Sequence, residues 1–312
     1  MCIINPRIDF AFKKLFGSEE NKDLLISLIN SIVSEQDQVA EIILKNPYNL
    51  ADYRAGKLTI LDIKARSTRG QWFNVEMQIS EDLVFDKRAI YYWSKLVTEQ
   101  LTEGMLFKEL HKTISIIILD FNFIPDREEY HNCYKILNAA TGKDDKLHDI
   151  FEMHYIELRK FRKTFSELTS VLDRWCAFLT RAHELDKNRV PEGLANDPCI
   201  VKAITAVDRM FDEEERVIYQ DRRLALMEVQ NKIASAEEKG IKQGMEKGMQ
   251  KGMQKGMEIG LEHGLAQGLE RGLAQGMEHG LIQGREQALR DALAKLMAEG
   301  VPEAEARRWL GL

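Results

Sequence analysis

The chain has 312 residues, 44% hydrophobic and 30% charged, enough apolar mass for one large domain or two smaller ones with a buried core. Its net charge of −6 excludes a global positive field, so nucleic-acid binding would need a local basic patch or a bound cation. Cys2, Cys133, Cys176 and Cys199 form no CxxC pair, which argues against a structural zinc site or a disulfide framework and fits a reducing cytosol. Arg7, Asp9, Lys13 and Lys14 put charge where a secretory leader needs an apolar core, and no apolar run approaches membrane-spanning length. A cytoplasmic protein with no membrane partner is therefore expected.

In chain order, DFAFKKLFG (9–17) predicts a short helix with an apolar face, stopping at Gly17. Ser18 reads as the N-cap of a second helix, in which Leu24, Leu25, Leu28, Ile29, Ile32 and Val33 form a core-facing stripe. Two strand-like runs follow, LTILDIKAR (58–66) and WFNVEMQIS (72–80), with a turn of about five residues containing Gly70. FDKRAIYYWSKLVTEQL (85–101) is patterned as a helix, and TISIIILDF (113–121) as a fully buried strand. From about 147 to 235 the pattern is mostly helical, with a basic run RKFRK (159–163), a helix over 167–185 and a loop between Pro191 and Pro198. A long helix over 212–238 leads into the tail. The order predicts a mixed α/β layout.

The hairpin carries the first chemical signal. With Ser67–Gln71 as its turn, Asp62 faces Glu76 across the strands, while Gln78 and Lys64 share the same sheet face. Two carboxylates about 5 Å apart repel unless a cation or proton intervenes. Spacing alone leaves two readings open: a metal site for Mg²⁺, Mn²⁺ or Ca²⁺, or the solvated face of an ordinary hairpin. The seven histidines show no metal spacing, and no GxSxG, phosphate loop or dinucleotide fingerprint is present.

Asp62, followed by Glu76-Met77-Gln78, resembles the core of the PD-(D/E)XK nuclease superfamily. DFAFKKLFGSEENKDLLISLIN, LDIKAR…FNVEMQ, KRAIYYWSKLVTEQL, IIILDF, HYIELRKF, LDRWCAFL and the glycine-repeat tail together resemble the recombination-promoting nuclease/transposase (Rpn) family of bacteria. The resemblance implies a restriction-endonuclease-like core, a mixed sheet flanked by helices, that hydrolyses DNA phosphodiester bonds with a divalent metal. It implies that Asp62 and Glu76 ligate Mg²⁺ (or Mn²⁺ or Ca²⁺), and that Gln78 stands where the superfamily usually has Lys. Gln lacks the ammonium charge but orients water through its amide; Lys64 is a candidate for the missing charge. Asp9 or Glu20 is a candidate to complete the metal shell, with helix N-capping the ordinary role for Asp9. Arg88, Tyr91, Tyr92 and RKFRK are candidate DNA contacts, with core packing and solvated helix faces as their ordinary roles. The alternative to an active endonuclease is a DNA-binding or self-assembling module on a nuclease fold with little catalysis.

The expected division is a nuclease-like core at 1–135, a helical extension at 136–235, a repeat tail at 236–285 and a short helix–turn–helix-like terminus at 286–312. From Gly240 to Gly284 twelve glycines recur at every fourth residue. A period of 4.0 makes the adjoining Met/Leu stripe drift about 40° per repeat around an α-helix. The glycines cost about 1 kcal/mol each relative to alanine, roughly 12 kcal/mol in all, so an isolated helix is marginal. Packing on a second copy would offset that cost, giving a homo-oligomer through the tail; the ordinary reading is a fluctuating spacer.

Overall fold

The computed structural model describes residues 4–48, 50, 63–81, 84–145 and 149–312. The chain divides into two units, Met1–Asn231 and Lys232–Leu312. The first holds a six-stranded sheet: β1 (Ile42–Leu44), β2 (Ile63–Ser67), β3 (Trp72–Gln78), β4 (Thr113–Leu119), β5 (His131–Lys135) and β6 (Phe151–Glu157). Its spatial order is β1-β2-β3-β4-β6-β5. β3, β4 and β6 run parallel, whereas β1–β2, β2–β3 and β5–β6 pair antiparallel. β4 is buried at all seven positions because it has parallel neighbours on both edges and layers on both faces. This mixed sheet with flanking helices is the expected α/β class.

Among the described residues, helices of this unit include α1 (Asp9–Phe16), α2 (Lys22–Asn30), α3 (Phe85–Thr98), α4 (Val171–Arg181), α5 (Glu192–Ala195) and α6 (Pro198–Arg209). One sheet face packs on α3, through Phe85, Ala89, Ile117, Leu119, Met153 and Tyr155. The other face joins the larger core, built from Phe10, Phe12, Phe16, Leu25, Phe73, Val75, Ile116, Trp175 and Ile204 among others. Trp175 anchors α4 there, donating its indole N–H to Ser27 Oγ at 3.1 Å and meeting the Phe16 ring edge-on at 5.3 Å. Burying aromatic side chains of this size dominates the apolar free energy of such a core.

The β2–β3 hairpin has the expected register. Ile63, Lys64, Ala65 and Arg66 face Val75, Asn74, Phe73 and Trp72, so the residue numbers of every pair sum to 138. Ser67 N donates to Gln71 O at 2.9 Å, and Gly70 supplies φ +94° at the turn. A side chain at position 70 would also collide with the His111 ring. Asp62 and the rest of 58–62 lie outside the described residues.

Several local expectations change. Ser18 does not cap α2: its hydroxyl turns back to Lys14 O, a short 3-10 turn follows, and Asn21 precedes the helix. Asp9 is the first residue of α1 rather than its cap, which is Ile8. The helix predicted over 167–185 is α4 flanked by 3-10 turns, and the Pro191–Pro198 interval holds α5. The largest correction is β6, since the sheet reaches residue 157, well inside the stretch read as a helical extension from 136. FEMHYIE alternates correctly for a strand, but Glu152, His154 and Glu157 look like solvent positions until their ion-pair partners are known. All three are buried and paired, to Lys112 and Lys135, to Glu152, and to Lys160 respectively.

The long helix α7 runs from Glu213 through Ala298, so the helix read over 212–238 continues through the glycine-repeat tail, which is helical as the fold reading expects. In the second unit, an added Cβ at any glycine from 240 to 284 would meet nothing within 4 Å. From Ile241 to Leu281 every fourth residue is a large apolar side chain, 56–77% exposed. A turn with Gly300 at φ +91° then leads to α8 (Glu303–Leu310). Among the described residues no helix is long and apolar enough to cross a membrane.

Candidate active site

Alternation along β3 sends Asn74, Glu76 and Gln78 to the α3 side of the sheet, with Lys64 on the same face across the hairpin. Glu76 is 2% exposed. The Gln78 amide donates to Glu76 Oε1, and Arg88 of α3 brings a guanidinium nitrogen to 4.0 Å of the same oxygen. Arg88 thus brings a cation to Glu76, placed there by the docking of Phe85, three residues before it, and of Ala89, the next residue. Arg88 also lies over the Phe85 ring, 5.0 Å from its centroid. Lys64 is committed elsewhere: its ammonium spans both Glu99 oxygens at 2.8 and 3.0 Å.

Two buried oxygens beside this carboxylate have no partner among the described residues, Asn74 Oδ1 and Ser115 Oγ. Asn74 and Ser115 are register partners across β3 and β4 and are 3% and 1% exposed. A buried polar oxygen without a hydrogen bond is costly and calls for a water, an ion or a substrate group. Carboxylate, amide and hydroxyl oxygens are hard donors, so the residues present fit Mg²⁺, Mn²⁺ or Ca²⁺ better than a soft metal.

Asp9 is half-buried at the start of α1 and accepts from Arg222 at 3.1 Å. Burial pushes its carboxyl above the usual range while Arg222 works against that rise. Among the described residues no group of three metal-ligating side chains contains Asp9 or Glu76. Glu20 lies in the 3-10 turn before α2, where its carbonyl accepts from Lys202. Tyr91 is exposed on α3 and Tyr92 half-buried beside it. The basic run is not a helix face: Lys160 and Lys163 pair with Glu157 and Asp173 at 2.8 Å, Phe161 is buried, and Arg159 and Arg162 are exposed.

A second constellation lies on the opposite sheet face, where sequence spacing shows nothing. Pairing of β5 with β6 sets Cys133 opposite His154, with Glu152 two residues before it. Glu152 receives Lys112, Lys135 and His154 at 2.7–2.9 Å. Burial works to raise its carboxyl, but the hydrogen bonds from His154 and the two lysines hold it well below the usual range. Burial, reinforced by His154, lowers His131 to about 4, and burial with Glu152 raises the Cys133 thiol to about 11.

A sequence model described as PD-(D/E)XK nuclease family transposase matches residues 6–236. Searches of curated proteins and of solved structures found no match. The matched span takes in the whole sheet, the Glu76–Gln78 strand and α3, so nuclease-type function with DNA as the substrate class follows from membership. The chain belongs to the PD-(D/E)XK nuclease family transposases.

Proposed function

We propose that the protein is a divalent-metal-dependent DNA endonuclease whose site lies on the α3 side of the β2–β3 hairpin. The observation carrying this reading is Glu76, a carboxylate buried in a face that also holds two oxygens without a partner among the described residues, Asn74 Oδ1 and Ser115 Oγ. Asp62 and Glu76 are the proposed metal ligands, with Asp9 a candidate third. A divalent cation held there would acidify a bound water and neutralise charge on the scissile phosphate. Gln78 orients the attacking water through its amide, which already lies on Glu76. Arg88 takes the part first considered for Lys64, since its charge reaches the site and can face a non-bridging phosphate oxygen. Tyr91, exposed one residue beyond the Ile90 that follows Ala89, offers a stacking surface for a base.

The test is nicking of supercoiled plasmid with and without Mg²⁺, Mn²⁺ or Ca²⁺, by the unaltered protein beside Asp62→Ala and Glu76→Gln. Metal-dependent nicking lost in both variants supports the reading. Equal nicking by all three sinks it. One observation favours the non-catalytic alternative: Gln78 and Arg88 together satisfy Glu76 from within the fold. DNA binding retained in Asp62→Ala, with no nicking by any version, would select it. We also propose that the tail associates with a second copy, supported by its exposed apolar stripe and open glycines. Equal sedimentation of the full chain and one lacking 240–284 would refute that.

A further inference from the structure

We propose that Cys133, Glu152 and His154 bind a thiophilic divalent transition metal, Zn²⁺ foremost, on the sheet face remote from α3. One donor atom from each residue, a thiol sulfur, a carboxylate oxygen and a ring nitrogen, lies within 4.8 Å of the other two. Cys133 Sγ and His154 Nε2 are 3.9 Å apart, against about 3.6 Å across a tetrahedral zinc with bonds of about 2.3 and 2.1 Å. Glu152 Oε1 and His154 Nε2 are at 2.7 Å and must open to about 3.4 Å to admit the ion. A sulfur–nitrogen–oxygen set disfavours Mg²⁺ and Ca²⁺, which separates this site from the all-oxygen face at Glu76.

The surroundings agree. Lys112 and Lys135 contact Glu152 through Oε2, leaving Oε1 turned toward His154. Lys112 is shared with Asp37 and Asp149, so two ammonium groups face three carboxylates. The excess single negative charge becomes two when Cys133 ionises, which a dication neutralises. His131 supplies the outer contact that a metal-binding imidazole requires, with its Nε2 at 2.9 Å from His154 Nδ1. With the ion bound through Nε2, His154 carries its proton on Nδ1 and donates it to His131. The only proton then lost to solvent is that of the Cys133 thiol. Cys133 is exposed on the edge strand β5, leaving a fourth position open to water. The ion would fasten this edge strand to β6.

This inference does not depend on the nuclease reading. The experiment is titration of the metal-free full-length protein with Co²⁺, followed by Zn²⁺. One equivalent of Co²⁺ is expected to give a near-ultraviolet thiolate-to-cobalt band, which Zn²⁺ displaces. The band should vanish in Cys133→Ser, whose altered residue is exposed and so spares the fold, and persist in Cys199→Ser. Zn²⁺ should raise the melting temperature of the unaltered protein and leave that of Cys133→Ser unmoved. Absence of the band at stoichiometric Co²⁺, or its survival in Cys133→Ser, overturns the proposal. An all-oxygen site at Glu76 cannot produce a thiolate band, so its failure or success is read separately.

Discussion

Ser115→Ala is the substitution that most directly asks whether the Glu76 face is a site or merely interior. A buried serine with a satisfied hydroxyl loses about 1 kcal/mol on truncation, the net worth of an ordinary hydrogen bond. Ser115 is different, because its hydroxyl is 1% exposed in the residue average and has no partner among the described residues. An unpaired buried hydroxyl costs about 1–3 kcal/mol, and deleting the oxygen forfeits under about 1 kcal/mol of packing. The variant should therefore be more stable by about 1 kcal/mol. With a urea slope of about 2–3 kcal/mol per molar, the midpoint should rise by about 0.3–0.5 M, measured with a chelator present. Metal-dependent nicking should fall in the same variant, the trade expected when an interior polar group serves function rather than stability. A drop in stability of 1 kcal/mol or more would refute the reasoning, since it would mean the hydroxyl is tied into a structural water network.

Gly70→Ala should destabilise the hairpin by at least about 1–2 kcal/mol, because φ +94° is unfavourable for alanine. Adding His111→Ala should recover only the steric part of that loss in thermal melts. Asp173→Asn should cost about 2–3 kcal/mol at neutral pH, since the carboxylate accepts from Lys163, Tyr130 and the Ser170 and Thr169 N–H groups. Burial alone would raise the Asp173 carboxyl, but these donors hold it below its ordinary 3.8. Its contribution is therefore complete above about pH 5 and lost as pH falls through 3.8 and below, so the variant should show a flatter acid limb in pH-dependent unfolding. Alanine at Gly252, Gly256, Gly260 and Gly264 should raise tail helicity in circular dichroism, by about 1 kcal/mol per site, because the added methyls meet open space. The same four changes should weaken association if the glycines are where two copies meet.

What was legible in the sequence depended on whether its physical cause was local. The hairpin register follows from strict alternation and one glycine at a turn, both contained within sixteen residues, 63–78. β4 announced itself as β-branched or apolar residues at six of seven consecutive positions, Ser115 being the exception, the pattern a strand needs when no edge or face meets water. β6 hid because its polar residues are satisfied by groups far away in sequence, Lys112 above all, some forty positions earlier. Separation in sequence also concealed the Cys133–His154 pair, 21 positions apart and brought together only by cross-strand register. Arg88 was visible as a basic residue on a helix, but its approach to Glu76 depends on how α3 lies on the sheet. Lys64 was correctly placed on the face, yet Glu99, from the residue just past α3, claims its charge.

The four-residue spacing of the tail also has a consequence at the level of the gene. GMQK recurs back to back at 248–255 and GLAQ at 264–267 and 272–275, and each unit spans four codons, twelve nucleotides. Gain or loss of one unit keeps the reading frame and leaves the glycine and apolar columns unbroken. The remaining helix shortens or lengthens by about 6 Å, and its far end turns by about 40°. A change of tail length in whole units thus preserves the repeat's pattern along the helix without a single amino-acid substitution.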